Sequence, residues 1–251
     1  MTTQTLAQLR QLKLGGMAAA LQTQLEQVGT YEGLPFVERL SLLVEHEAMM
    51  REQRRQERFI RQARFRLGAS VAEIDYQHPR NIKQSQIAQL AQSDWINRAQ
   101  NLLITGPCGS GKTYLACALG HNGCMLGYSV RYFRLSRLLL ELAQAKADGT
   151  YHKKLKLLAR IQLMIIDDWG LEALKPAHRN DLMEIMDDRH GHTSTVVISQ
   201  LPTDKWYASI GDNTLADAIL DRLMHNSHRL KLKGESMRKL MGGVDQYEHL
   251  S

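Results

Sequence analysis

The chain has 251 residues, of which 43% are hydrophobic and 23% are charged. This length and apolar content suffice for one α/β domain with a smaller appendage, and they exclude a wholly disordered chain. The net charge of +6 is typical of proteins with a polyanionic partner, most often nucleic acid, although it also favours plain solubility. Three cysteines without metal-ligand spacing, no apolar run of membrane-spanning length and no signal-peptide core predict a cytoplasmic protein without membrane contact.

Residues 1–68 show helical patterns and predict a small all-helical N-terminal domain. Apolar residues recur at helical spacing in two short stretches, which a pair of glycines separates. A third stretch begins near Pro35, a residue suited to a first helical turn, and is expected to continue to about Leu67 with Gly68 as its stop. Residues 69–98 are predicted to form a connector that contains one short helix.

The third helical stretch carries seven arginines between residues 51 and 66, opposed by only two glutamates. At about 100° per residue, all but Arg64 fall within an arc of about 140°, which gives a positive stripe about 23 Å long. DNA carries about one charge per 1.7 Å of axis, so the stripe matches a phosphate backbone, and arginine is well suited to phosphate. A solvated helix face is the alternative interpretation. The candidate DNA-contacting residues are Arg51, Arg54, Arg55, Arg58 and Arg61.

From residue 99 onward, short apolar runs alternate with helical stretches. This alternation predicts an α/β domain over residues 99–251, in which helices cover both faces of a parallel sheet in three layers, with little or no separate lid. The predicted strands cover 102–105, 130–133, 163–167 and 196–199, with a further candidate at 228–232. The predicted helices cover 112–126, 135–147, 153–160, 177–190 and 216–225.

The first predicted strand is followed by the sequence GPCGSGKT at 106–113, which fits the phosphate-loop pattern G-x-x-x-x-G-K-[ST]. Glycines let the backbone wrap phosphates, and the N-terminus of the following helix adds positive potential. Lys112 is expected to bind the β- and γ-phosphates, and the hydroxyl of Thr113 to bind Mg²⁺. The loop therefore predicts ATP and Mg²⁺ as cofactors. The candidate nucleotide-binding residues are Gly106, Pro107, Cys108, Gly109, Ser110, Gly111, Lys112 and Thr113.

Two acids end the third predicted strand, in the pattern known as Walker B. Asp167 is predicted to hold Mg²⁺, and Asp168 to act as the base for the attacking water, where many ATPases have a glutamate that is one methylene longer. A helix N-cap is the alternative for two acids at this place. The next strand, 196–199, ends in Ser199 and Gln200. Either residue is a candidate for contact with the γ-phosphate or the water, and Gln200 is preferred.

With these motifs the chain resembles the AAA+ ATPases, specifically the clade of the helicase loader DnaC and the transposition helper IstB. The resemblance rests on the order of the motifs, on IIDDWG at 165–170 and on ISQLPTDKW at 198–206. The stretch GDNTLADAILDRLMHNSHRLKLKGESMRK at 211–239 is the most specific and is similar to IstB, as is LRQLKLGGMAAAL at 9–21. The resemblance covers most of the chain and implies an AAA+ ATPase domain preceded by a helical N-terminal domain.

The resemblance also implies roles for two arginines. Arg222 matches the arginine finger, which reaches the γ-phosphate bound by a neighbouring subunit and therefore requires a homo-oligomer. The alternative for Arg222 is a salt bridge on the helix surface, with Asp217, Asp221 or Glu235 as its partner. Arg238 matches the sensor arginine that contacts the nucleotide of its own subunit.

The function implied by the resemblance is that of an oligomeric ATPase that assists a cognate transposase. Members of this family assemble on duplex DNA in the ATP state, and IstB-like proteins take part in choosing and remodelling the insertion target. A DnaC-like replicative helicase loader with the same ATPase core is the main alternative. A small-molecule kinase, and a scaffold that binds ATP but hydrolyses it poorly, are two further alternatives.

Overall fold

The computed structural model describes residues 2–234 and 237, and it divides into two compact units. Unit 1 ends at Arg58, and unit 2 begins at Phe59. The sequence placed this division at residue 68 and expected a separate connector at 69–98, whereas the structure includes residues 69–98 in unit 2. The difference arises because Ile87 and Trp95 of this segment are buried in the core of unit 2. No helix in the described part of the chain is long and apolar enough to cross a membrane.

Unit 1 consists of helices. Close packing depends on Gly16, because a Cβ there would lie 2.8 Å from Cα of Glu47. The buried carboxylate of Glu47 accepts hydrogen bonds from Arg51 Nε (2.7 Å) and from the backbone N–H groups of Gly16 (2.6 Å) and Met17 (3.1 Å). The Arg51 bond first, and the backbone bonds after it, hold the pKa of Glu47 below its ordinary value. The helices are α1 (Thr2–Gln11), α2 (Gly15–Glu26), α3 (Val28–Tyr31) and α4 (Phe36–Ala63), the last of which continues into unit 2.

Unit 2 is built on a five-stranded parallel sheet in the order β2-β3-β4-β1-β5. Successive side chains of a strand point to opposite faces, so Leu102 and Ile104 join one apolar cluster while Leu103 joins the other. Helices cover both clusters, which confirms the predicted three-layer α/β fold. The strands are β1 (Asn101–Thr105), β2 (Val130–Arg134), β3 (Leu163–Trp169), β4 (Ser194–Ser199) and β5 (Ser227–Lys231).

All five helices predicted for residues 99–251 are present, and the short helix predicted within residues 69–98 is also present, as α5. The sequence patterns did not indicate α6 and α11. The last predicted helix begins three residues earlier than expected, because Asp212 caps it by accepting a hydrogen bond from the backbone N–H of Leu215. The described helices of the unit are α5 (Gln84–Ala91), α6 (Asp94–Asn97), α7 (Lys112–Met125), α8 (Leu135–Ala147), α9 (Tyr151–Ala159), α10 (Pro176–Arg189), α11 (Trp206–Ile210) and α12 (Asn213–Met224).

Helix α4 ends at Ala63, four residues before its predicted end. Arg64 adopts a left-handed conformation with φ 54°, and the ring of Phe65 then packs on Gly120 of α7. These contacts require the chain to turn, so Arg66 lies outside the helix and the helical part of the arginine stripe is about 15 Å long at 1.5 Å per residue. The candidate DNA-contacting arginines that lie on α4 and are exposed are Arg51, Arg54, Arg55, Arg58 and Arg61.

Candidate nucleotide-binding site

A cavity of about 620 Å³ lies in unit 2 at the carboxyl ends of β1, β3 and β4. Ligands of open parallel sheets bind at this edge. The cavity is lined by residues of the phosphate loop, by both acids of β3 and by the end of β4. Residues between positions 66 and 80 line another side of it. The predicted site residues that line it are Cys108, Gly109, Gly111, Lys112, Thr113, Asp167, Asp168, Ser199 and Gln200.

The phosphate loop joins β1 to α7 in a conformation suited to an anion. Gly111 immediately precedes the helix at φ 88°, where a side chain would be strained and its Cβ would overlap the guanidinium of Arg80. The ammonium of the buried Lys112 donates to the carbonyl oxygens of Gly106 (2.8 Å) and Pro107 (2.7 Å), so its charge lies within the loop. Within the described residues, Ser110 Oγ is buried without a hydrogen-bond partner. The loop therefore fits a phosphate group.

The first residues of α7 meet the acids of β3 at the cavity. Thr113 Oγ1 donates a hydrogen bond to Asp167 Oδ2 at 2.9 Å. Asp167 is only 3% exposed and lines the cavity, so its carboxylate faces the cavity and has little contact with bulk water. Hydroxyl and carboxylate oxygens are ligands that Mg²⁺ prefers, with phosphate oxygens and water completing its coordination. The pair of residues therefore fits a magnesium ion bound together with a nucleotide.

Two further residues contact Asp167 and were not found from the sequence. Tyr132 of β2 donates its hydroxyl to Asp167 Oδ2 at 2.6 Å, and Arg66 Nη1 lies 3.8 Å from the same oxygen. Burial, and then the bond to Asp167, raise the pKa of Tyr132. A hydrogen bond to Tyr132 raises the pKa of Arg66. The alternating burial along β2 weakly indicates that Tyr132 points into the protein. Arg66 was missed because the helical pattern assigned it to the arginine stripe of residues 51–66.

Asp168 occupies a bulge near the end of β3. The pairing of β3 with β4 shifts register between Ile166 and Trp169, and Asp168 has φ 62°. In a regular strand consecutive side chains lie on opposite faces, but the bulge lets both Asp167 and Asp168 line the cavity. The N–H of Asp168 donates to Asp167 Oδ1 at 2.8 Å, and Arg134 Nε donates to Asp168 Oδ2 at 2.8 Å.

The end of β4 separates the two candidates that the sequence left open. Ser199 is 1% exposed, and its Oγ donates to the carbonyl of Trp169 (2.7 Å) and accepts from the N–H of Leu201 (3.0 Å). The bond to Trp169 connects β4 to β3. Gln200 is exposed and lines the cavity, so the preferred residue is also the more accessible one.

Comparison with known proteins matches residues 7–241 to the family of IstB-like ATP binding proteins. The chain belongs to this family. It is 45% identical over 235 residues to a protein of Sinorhizobium fredii (strain NBRC 101917 / NGR234) provisionally described as an insertion sequence ATP-binding protein, covering 94% of this chain and 96% of that one. Over 204 residues it is 46% identical to the corresponding protein of insertion sequence IS1162 from Pseudomonas fluorescens, covering 81% and 88% of the two chains. ATP binding is thus a property of its family.

A solved structure of the DnaC helicase loader shares the fold of this IstB-like protein. The TM-score is 0.54 at 20% sequence identity, and the match covers 66% of this chain and 97% of that one. The P-loop AAA+ fold expected from the resemblance is confirmed.

Of the two arginines to which the resemblance assigned roles, the structure describes Arg222 but not Arg238. Arg222, in the last turn of α12, donates from Nε (2.9 Å) and Nη2 (2.7 Å) to Asp187 of α10 and from Nη1 to the carbonyl of Ala218 (3.0 Å). The partner acid is therefore Asp187, which the sequence did not indicate because it lies 35 residues away on another helix. Arg222 does not line the cavity of unit 2. Arg238 lies outside the described residues.

Proposed function

We propose that this IstB-like protein hydrolyses ATP with Mg²⁺ in the cavity of unit 2, and that the nucleotide state controls its assembly on duplex DNA as the helper of a transposase. The observation that carries the proposal is the convergence of Lys112, Thr113, Asp167, Asp168 and Gln200 on one cavity. These residues come from three strand ends that lie far apart in the sequence but meet at one edge of the sheet.

Binding is assigned to the phosphate loop and its neighbours. Lys112 balances the charge of the β- and γ-phosphates, while the N-terminus of α7 directs backbone N–H groups at them. Thr113 and Asp167 hold Mg²⁺, which neutralises charge on the phosphates. Tyr132 keeps the Asp167 carboxylate oriented, since its hydroxyl bonds the same oxygen as Thr113.

Hydrolysis is assigned to the polar residues at the ends of β3 and β4. Asp168 accepts a proton from the attacking water, and Gln200 orients that water. Arg134 occupies one oxygen of Asp168 in this structure, which supports slow hydrolysis until the ion pair opens. The shorter reach of an aspartate, compared with a glutamate, favours the same outcome.

The site is proposed to be shared between subunits. Arg222 serves as the arginine finger for the nucleotide of a neighbouring protomer, where it stabilises charge that develops during phosphoryl transfer. Its position supports this role, because it lies outside its own cavity and its side chain is 26% exposed. The ion pair with Asp187 then holds the finger in a defined place at the surface.

Duplex DNA and a transposase are the proposed partners. The relatives at 45% and 46% identity are both described as proteins of insertion sequences, which favours transposition over helicase loading. The exposed arginines of α4 and the net charge of +6 support contact with phosphates, with weak sequence preference and strong salt dependence.

The proposal is tested by measuring duplex DNA binding at fixed salt with a slowly hydrolysed ATP analogue, with ADP and without nucleotide. We expect affinity at least about tenfold higher with the ATP analogue, as is ordinary for a coupled site. The Lys112→Ala variant should lose this difference while it keeps its nucleotide-free affinity. Equal affinity of the parent in all three states would contradict the switch. Capture of a replicative helicase, and not of the transposase from the same insertion sequence, would favour the loader.

A further inference from the structure

Within the described part of unit 2, two arginines are buried, Arg80 and Arg189, with exposures of 3% and 1%. Neither forms an ion pair with an acidic side chain of residues 2–234. A guanidinium stays protonated in proteins, so each residue places a positive charge in the interior. Such a charge is costly unless hydrogen bonds or an anion compensate it.

Arg189 shows how hydrogen bonds alone can satisfy a buried guanidinium. Its Nε donates to Thr195 Oγ1 at 3.1 Å, and its Nη1 donates to the carbonyls of Leu158 (2.7 Å) and Ile161 (2.8 Å). Its Nη2 donates to the carbonyl of Ser194. All three nitrogens therefore have oxygen acceptors, and they join β4 to the helix before β3. This is a structural arrangement.

Arg80 is satisfied much less well. Its Nε is buried without a hydrogen-bond partner in the described residues. Its Nη1 reaches the carbonyl of Ser110 only at 3.5 Å and otherwise meets Met237 Sδ, and sulfur is a weak acceptor. Only Nη2 makes a short bond to oxygen, at 2.6 Å from the carbonyl of Asp75. Burial lowers the pKa of Arg80 more than the charge of Asp75 raises it.

The position of this under-satisfied charge is fixed against the phosphate loop. Arg80 lines the same cavity as Lys112, and its Nη1 occupies the space that a Cβ of Gly111 would need. The main chain around it is held to the end of β5, because the N–H of Lys233 donates to the carbonyl of Arg80 and Asn81 donates to that of Lys231. The guanidinium is therefore placed before any ligand arrives.

We propose that Arg80 is a nucleotide-binding residue, whose buried positive charge is compensated by the phosphate groups of a nucleoside di- or triphosphate in its own subunit. The proposal rests on the nucleotide site described above and adds a further protein cation to Lys112 and Arg66, from a segment that precedes the sheet. Charge-assisted bonds from a guanidinium to phosphate supply what Ser110 and Met237 do not.

The test compares Arg80→Gln, Arg80→Lys and Arg189→Gln with the parent protein, by titrating ADP with Mg²⁺ and by measuring thermal unfolding without nucleotide. Arg80→Gln should weaken ADP binding about tenfold or more, because a charged hydrogen bond is lost, and should shift the unfolding midpoint by less than about 2 °C. Arg80→Lys should recover part of the affinity because it restores the charge. Arg189→Gln should lower the unfolding midpoint and leave ADP affinity unchanged.

Three results would overturn the proposal while leaving the nucleotide site intact. One is an Arg80→Gln variant that binds ADP as tightly as the parent protein. Another is equal ADP affinity of Arg80→Gln and Arg80→Lys, which would show that the positive charge of residue 80 is not what binds the nucleotide. The third is loss of folding in Arg80→Gln comparable to that in Arg189→Gln, which would make Arg80 structural. If the parent itself failed to bind ADP or ATP, the proposed function would fall together with this inference.

Discussion

Unit 1 and unit 2 each bury an acid beside an arginine, and the two acids have different partners. Glu47 in unit 1 is 6% exposed, and its oxygens are taken by Arg51 and by the N–H groups of Gly16 and Met17. Backbone N–H groups at a helix N-terminus cannot move away without unfolding the turn. The carboxylate of Glu47 is thus committed to joining α2 to α4.

Asp167 in unit 2 is 3% exposed, but its partners are mainly side chains at the rim of a cavity. The hydroxyls of Thr113 and Tyr132 share one oxygen, and Arg66 lies 3.8 Å from it. These side chains can rotate when a cation or phosphate arrives. The buried carboxylate of Asp167 is therefore free to bind a ligand, whereas that of Glu47 is not. The partners of a buried acid therefore decide whether it stabilises the fold or binds a ligand, so substitutions of Glu47 and Asp167 should separate stability from activity.

The largest effect is expected for Asp167→Asn. Its amide oxygen still accepts from Thr113 and Tyr132, whereas its amide nitrogen replaces the oxygen that accepts from the N–H of Asp168, so the unfolding midpoint should fall by only about 2 to 4 °C. The loss of a charged metal ligand should lower kcat for ATP hydrolysis about 100-fold or more. Steady-state phosphate release and thermal unfolding, measured on one preparation, check both parts. A variant that unfolds more easily but hydrolyses ATP at the parental rate would show that Asp167, like Glu47, has a structural role.

Glu47→Gln should give the opposite result. Hydrogen bonds to a charged group contribute about 2 kcal/mol, so the free energy of unfolding of unit 1 should fall by about that amount. The rate of ATP hydrolysis without DNA should not change. Hydrogen exchange at residues 2–58, combined with phosphate release, measures the two quantities separately. Unaltered exchange with a lost ATPase would contradict the structural role.

The pH dependence of unit 1 follows from the same carboxylate. Because the folded state lowers the pKa of Glu47, its contribution is fully present above the ordinary glutamate pKa of about 4.3 and is lost as the pH falls through the lower folded value. Protection of residues 2–58 should therefore decline below about pH 4.3 more steeply in the parent than in Glu47→Gln. Equal slopes in the two proteins would show that Glu47 does not cause the decline.

The smallest effect is expected for Arg134→Gln, which removes the ion pair of Asp168. Arg134 is 46% exposed, and exposed pairs contribute at most about 1 kcal/mol, so kcat should rise by no more than about fivefold. The free energy of unfolding should fall by no more than about 1 kcal/mol. A single-turnover assay resolves a change of this size, with Arg131→Gln on the same strand as the matched control. A fall in rate would indicate that Arg134 assists hydrolysis.

The sequence predicted those parts of the site that follow from local patterns. Continuous apolar runs located the strands, and the loop before Lys112 together with the two acids near the end of β3 located the cavity. The sequence could not place Arg66, because the helical pattern continues through Arg64 while the structure turns there at φ 54°. The turn depends on tertiary packing of Phe65, which leaves no local signal.

The sequence also did not indicate contacts between residues that lie far apart in the chain. Asp187 pairs with Arg222 across two helices, and Arg80 reaches the phosphate loop from a segment interpreted as a connector. Ser199 and Gln200 were both candidates by position, with Gln200 preferred. The structure distinguishes them, because Ser199 Oγ is bonded to the carbonyl of Trp169.

The central claim, that the ATP site is completed by a neighbouring subunit, is tested most directly by mixing two inactive variants. Arg222→Ala keeps the cavity residues but lacks the finger, and Asp168→Asn keeps the finger but lacks the base. We expect each alone to hydrolyse ATP at least about 100-fold more slowly than the parent, and an equimolar mixture to recover up to about a quarter of parental activity at interfaces that combine both intact residues. A mixture as inactive as its components, although the two variants assemble together, would contradict the account.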